Sequence, residues 1–105
     1  MLLTKIHSND CEVCRELGDK ATTIADKYDF QYEQVDVEVL ARTPGPLRDY
    51  ALKVHVAPDT GMIDLPIYVL TTGDGDIQGS SVVKTLGEVE NLISAWTQWE
   101  HSQKQ

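Results

Sequence analysis

The 105-residue chain carries 9 basic and 17 acidic residues, a formal net charge of −8, with the acids spread along the sequence. That balance argues against nucleic acid and anionic membranes as partners. The length allows one compact domain, residues 1–105, with a core large enough to fold without metals or structural disulfides.

The first apolar run, Leu2-Leu3-Thr4-Lys5-Ile6, reads as a strand, and Ser8-Asn9-Asp10 as turn and cap residues. From Val13 the apolar positions Val13, Leu17, Ala21, Ile24 and Tyr28 keep helical spacing, with Gly18 tolerated inside the helix. At the junction stands Cys11-Glu12-Val13-Cys14, which holds the only two cysteines. A thiol at a helix N-terminus faces unpaired backbone N–H groups and the positive end of the helix dipole, and both favour the thiolate. Cys11 falls on the exposed lip of the loop and Cys14 inside the first turn. This casts Cys11 as the attacking thiolate and Cys14 as the buried thiol that resolves a mixed disulfide. Lys5, His7 and Arg15 add to thiolate stabilisation while Asp10 and Glu12 oppose it, so the expected poise is that of a reductase, roughly −200 to −270 mV, and not of a strong oxidant.

Phe30 to Val39 reads as a second strand, with Val35, Val37 and Val39 on one face. Thr43-Pro44 opens a helix as N-cap and N1, with Leu47, Tyr50, Ala51 and Val54 facing inward. His55 to Asp64, with Pro58, Asp59 and Gly61, reads as a loop. Ile67-Tyr68-Val69-Leu70 and Asp76 to Ser80 flank Gly73-Asp74-Gly75 and form an antiparallel hairpin. Thr85-x-x-Glu88 is a capping box ahead of Val89, Leu92, Ile93 and Trp96, so a last helix packs on the sheet. Trp96 and Trp99 read as one core residue and one partly exposed residue. No apolar run approaches the roughly 20 residues that span a bilayer, and Met1 to Ile6 is shorter than the apolar core of a signal peptide. A cytoplasmic protein is expected, and in a reducing compartment a lone Cys-x-x-Cys is redox-active or metal-binding more readily than structural. His7, His55 and His101 do not stand at ligand spacing to complete a metal site.

The order β-α-β-α-β-β-α, with Cys11 to Cys14 closing the first strand and Leu65-Pro66 opening the third, resembles the thioredoxin/glutaredoxin family over nearly the whole chain. The resemblance implies an α/β thioredoxin-like fold, a four-stranded mixed sheet flanked by three helices. It implies a thiol-disulfide oxidoreductase that reduces protein disulfides as an electron carrier, with no cofactor and Cys11 and Cys14 as its catalytic pair. Pro66 would be cis, and Leu65 would offer its N–H and C=O to a substrate chain lying alongside as an added strand. Glu12, Val13 and Gly79 would border that substrate. The implied partners are a disulfide-containing protein and an electron-donating reductase or glutathione, with the chain itself a monomer.

Several positions depart from the family pattern. Asp10 stands where thioredoxins usually have tryptophan, Glu12-Val13 replaces Gly-Pro or Pro-Tyr, and Lys5 occupies the strand position of a buried acid. Gly79-Ser80-Ser81 matches the glutathione-binding turn of glutaredoxins poorly. Two other readings of the chain stay open: a thioredoxin-fold adaptor whose cysteines are secondary, and a metal-binding Cys-x-x-Cys protein.

Overall fold

The β-branched and aromatic runs build four strands, β1 (Leu2–His7), β2 (Gln31–Asp36), β3 (Ile67–Thr71) and β4 (Ile77–Val82), in a computed structural model that describes residues 1–103, with side chains to residue 100. Their order in the sheet is β2-β1-β3-β4. β1 runs parallel to β2, whereas β1–β3 and β3–β4 are antiparallel. Among the described residues five helices surround them: α1 (Glu12–Leu17), α2 (Ala21–Lys27), α3 (Val37–Ala41), α4 (Pro46–His55) and α5 (Leu86–Gln103).

Alternation along the central strands sends their side chains to two cores. Leu3, Tyr68 and Leu70 pack with Leu17, Ala21, Ala25, Val89 and Ile93, beneath α1, α2 and α5. Ile6, Ile67 and Val69 pack with Leu40 and Ala51, beneath α3 and α4. The central pair β1 and β3 is therefore covered on both faces, and its near-continuous apolar sequence is what such burial requires.

The expected elements recur with four corrections. The single helix expected from Val13 to Tyr28 is two, because the chain turns at Gly18 with φ 50° and ψ −131°, its N–H still bonded to the Cys14 carbonyl. The second strand stops at Asp36, whose carboxylate accepts the Glu38 N–H and caps α3, so Val37 and Val39 leave the sheet and Val39 is 47% exposed. The next helix starts two residues later than the Thr43-Pro44 signal, with Gly45 as cap and Pro46 in the first turn. On it Ala51 is buried, while Val54 faces solvent. The segment after His55 is more ordered than a plain loop: Val56 bridges Ile63, and the Ala57 N–H donates to the Met62 carbonyl.

The hairpin and the last helix follow the expected chemistry more closely. The Gly75 N–H donates to the Thr72 carbonyl at the tip, where Gly75 has φ 90°. Thr85 Oγ1 accepts the Glu88 N–H, as in a capping box, but the Glu88 carboxylate reaches the Lys84 N–H one residue further out. Trp96 is half-buried and meets the edge of Phe30 at a centroid distance of 6.0 Å, while Trp99 is 55% exposed.

A polar tie joins α4 to β4. The Tyr50 hydroxyl and His55 Nε2 both hydrogen-bond Ser80 Oγ, at 2.8 and 2.7 Å. Burial pulls the His55 imidazole below its ordinary 6.5. Above pH 6.5 neither the folded nor the unfolded chain protonates this ring, and its contribution to stability is fully present. As pH falls, the unfolded chain takes up its proton first, so stability is lost down through the lower folded value. Urea midpoints at pH 7.5, 6 and 5 are expected to fall over this range in the wild type and to fall less in His55→Gln, which keeps a donor for Ser80 but does not titrate.

Candidate active site

The β1 strand ends at His7, and its register places His7 one step beyond the Ile6–Ile67 pair, beside the start of β3. The Leu65–Pro66 segment and the loop leading to Cys11 therefore leave the sheet at the same end. Between them, the Cys11 N–H donates to the Ser8 carbonyl and the Asp10 N–H to Ser8 Oγ, a turn that feeds directly into α1. Cys11 is the N-cap of α1, in extended backbone conformation, and its Sγ accepts the Cys14 N–H at 3.1 Å. Three residues on, just under one helical turn, Cys14 lies on the same side of the helix. The two sulfurs are joined in a disulfide.

The two cysteines differ in exposure. Cys11 is only partly covered, whereas Cys14 is 3% exposed. Between them, Glu12 faces solvent and Val13 packs half-buried against the core beneath α1. Asp10 is exposed as well. An incoming group thus meets Cys11 first, with the Glu12 and Asp10 carboxylates around it.

Beneath the pair lies a buried lysine. Lys5 is 2% exposed, and its ammonium donates to the carbonyls of Cys14 at 2.8 Å and Gly18 at 2.6 Å. The Cys14 carbonyl also accepts the Gly18 N–H, and both carbonyls lie at the end of α1, where a cation complements the helix dipole. Burial pulls the Lys5 ammonium below its ordinary 10.5, and Asp19 partly restores it. Lys5, His7, Asn9, Cys14, Arg15 and Asp19 all border a cavity of about 380 Å³ that opens beside the disulfide.

On the β3 side, the Leu65–Pro66 peptide is cis. The Val83 N–H donates to the Pro66 carbonyl, and the Lys84 ammonium to the Leu65 carbonyl at 3.0 Å. Lys84 was not marked by any sequence pattern, because a long surface cation carries no periodicity. Gly79 is not brought to this site. Gly79 stands opposite Leu70, three register steps and about 10 Å from the Ile67–Val82 pair. There it borders the groove of Leu92, Trp96 and Trp99. Among the described residues no cluster of three or more His, Cys, Asp or Glu side chains is placed to hold a metal ion, and the His101 side chain lies outside the described residues.

No protein-family model matches the sequence, and no curated protein matches it significantly. Solved structures do. Thioredoxin 1 from Thermosipho africanus matches with TM-score 0.63 at 18% identity, over 96% of this chain and 99% of that one. Thioredoxin from Schistosoma mansoni matches with TM-score 0.62 at 20% identity, over 90% of this chain and 74% of that one. A thioredoxin f2 solved in complex with ferredoxin:thioredoxin reductase matches with TM-score 0.63 at 13% identity, over 91% of this chain and 76% of that one. At such identities the matches establish the fold: a thioredoxin fold, with the Cys11–Cys14 pair at the end of β1 and five helices where three were expected.

Proposed function

We propose that this chain is a thiol-disulfide oxidoreductase that reduces protein disulfides and passes electrons on as a carrier. The observation that carries the reading is the disulfide between a partly exposed N-cap cysteine and a buried cysteine three residues further on. In the reduced state Cys11, as thiolate, attacks one sulfur of a target disulfide. A bond forms between Cys11 and that sulfur, the target S–S bond breaks, and the other target sulfur leaves and takes a proton. Cys14 then attacks Cys11 Sγ, forms the Cys11–Cys14 bond and releases the second target thiol. Two electrons pass to the target, and the carrier ends in the disulfide form.

The target chain docks alongside Leu65–Pro66, with the Leu65 N–H and C=O as its partners in strand addition. The carbonyl is occupied by Lys84 in the free protein, so docking displaces that ammonium. A reductase of the kind bound to the thioredoxin f2 relative, or glutathione, restores the dithiol, and the compartment is the cytoplasm. The formal charge of −8 selects targets with basic rims through encounter rate.

The direct test equilibrates the protein in graded thiol–disulfide buffers, traps it with an alkylating agent and reads the mass. The expected result is one reversible two-electron transition in the range of cytosolic carriers, roughly −200 to −270 mV, with two alkyl groups gained together. A pair that stays oxidised or reduced across the whole range, or that never gains two groups together, rejects the oxidoreductase reading.

A further inference from the structure

Resolution of a mixed disulfide requires the thiolate of Cys14, yet Cys14 is 3% exposed, and burial in apolar surroundings raises a thiol pKa. A buried thiol can be ionised in two ways: a buried base takes its proton, or a buried cation stabilises the anion that remains. Among the described residues this site has no buried carboxylate at all, since its only buried polar or charged residues are Thr4 and Lys5. Lys5 stands under α1, on the face of β1 that points toward the cysteines, with its ammonium bonded to the Cys14 carbonyl and to the Gly18 carbonyl. An ammonium has three donors, and these two bonds use two of them.

We propose that Lys5 is the positioning residue for the resolving step: held by the Cys14 and Gly18 carbonyls and bordering the same cavity as Cys14, its ammonium stabilises the Cys14 thiolate. The inference rests on the oxidoreductase reading above. As Cys14 ionises, its proton leaves to solvent through the open cavity. The thiolate attacks Cys11 Sγ, the Cys11–Cys14 bond forms, and the bond from Cys11 to the target breaks. The departing target sulfur takes a proton from solvent, so no buried acceptor is needed. The charge that neighbours Cys14 is then positive, and it favours the reduced state in which a thiolate can form.

The other titratable groups that face this ammonium leave the charge argument intact. Tyr68, paired with Lys5 across β1 and β3, has its phenol pushed up to about 12, chiefly by burial, and burial also raises Tyr32 on β2. Both are neutral over the working range. Gln34, the β2 partner of Lys5, does not titrate. Asp19 from the α1–α2 turn opposes the cation, whereas the Arg15 guanidinium on α1 borders the same cavity and reinforces it; His7 on β1 lines that cavity too.

A purely structural role for Lys5, capping the end of α1, predicts lost stability but an unchanged thiol. The test therefore reads the thiol. In Cys11→Ser, the pH dependence of Cys14 alkylation gives its pKa, and adding Lys5→Met is expected to lower the thiolate fraction at pH 7 at least tenfold. In the chain with both cysteines, Lys5→Met is expected to shift the equilibrium against a thiol buffer toward the disulfide, by up to tenfold or ~30 mV more reducing for each tenfold loss of thiolate affinity. Should Lys5→Met fail to fold, nuclear magnetic resonance of the Lys5 side chain in the unaltered protein decides. By reciprocity, ionising Cys14 in the reduced form must raise the Lys5 pKa relative to the disulfide form. An unchanged Cys14 pKa and potential in folded Lys5→Met, or a Lys5 pKa identical in the two redox forms, overturns the inference while a normal wild-type transition leaves the oxidoreductase reading standing. Absence of that wild-type transition removes both.

Discussion

Cys14→Ser is expected to convert a transient mixed disulfide into a lasting one. With the resolving sulfur gone, the covalent adduct on Cys11 decays only through outside thiols, and uncatalysed disulfide exchange takes on the order of minutes to hours. The adduct should therefore be recoverable by non-reducing electrophoresis and identified from the mass of the attached chain. Cys11→Ser is expected to do the opposite: disulfide reduction falls to the uncatalysed background and no adduct forms. The asymmetry follows from exposure, because Cys11 is partly open at the N-cap and Cys14 is 3% exposed beneath it, so an external disulfide reaches only the first. Adducts on Cys14 in Cys11→Ser at the rate of the reverse variant would overturn these roles. If neither variant ever captures a target, while both still bind the same partner, the adaptor reading gains.

The thioredoxin fold and the Cys11–Cys14 pair are legible in the sequence, other features of the candidate site less so, and the reasons differ residue by residue. The cysteines were legible because chemistry, spacing and a strand-to-helix junction coincide at one place in the sequence. The cis Leu65–Pro66 bond was legible only through resemblance, since nothing in the local sequence distinguishes a cis-proline from an ordinary strand-opening one. Gly79 pairs with Leu70 in the middle of the β3–β4 ladder, a position set by strand register that the local sequence does not state. The β2–α3 boundary was hidden for a related reason. Val35, Val37 and Val39 alternate like a strand, but Asp36 in their midst is a better helix cap than a sheet residue, and its carboxylate takes the Glu38 N–H. Lys5 was visible as an unusual residue at a strand position. Its bonds to Cys14 and Gly18 were not, because they are tertiary contacts and the second is made at the turn that ends α1, while the apolar spacing from Val13 to Tyr28 runs through that turn without a mark.

That break gives the second large effect, expected from Gly18→Ala. Gly18 holds φ 50° and ψ −131°, a combination that L-residues rarely adopt. An added Cβ has room, since its nearest non-neighbouring heavy atom is the Arg15 carbonyl oxygen at 3.7 Å. The cost is therefore backbone strain and not collision with the surroundings, about 2 kcal/mol. For a chain of this size that corresponds to a fall of roughly 8–16 °C in Tm by calorimetry. The continuous apolar stripe offers the variant another outcome: α1 and α2 can relax toward one helix, which withdraws the Gly18 carbonyl from Lys5. A double-mutant cycle between Gly18→Ala and Lys5→Met separates the two. If the turn exists in part to present that carbonyl to the ammonium, the changes are non-additive by roughly 0.5–3 kcal/mol, the range for groups in direct contact, and Gly18→Ala also raises the Cys14 pKa. Strict additivity, or an unaltered Tm in Gly18→Ala, would mean that the turn and the lysine are independent features and that the break in the helix does nothing for the thiol.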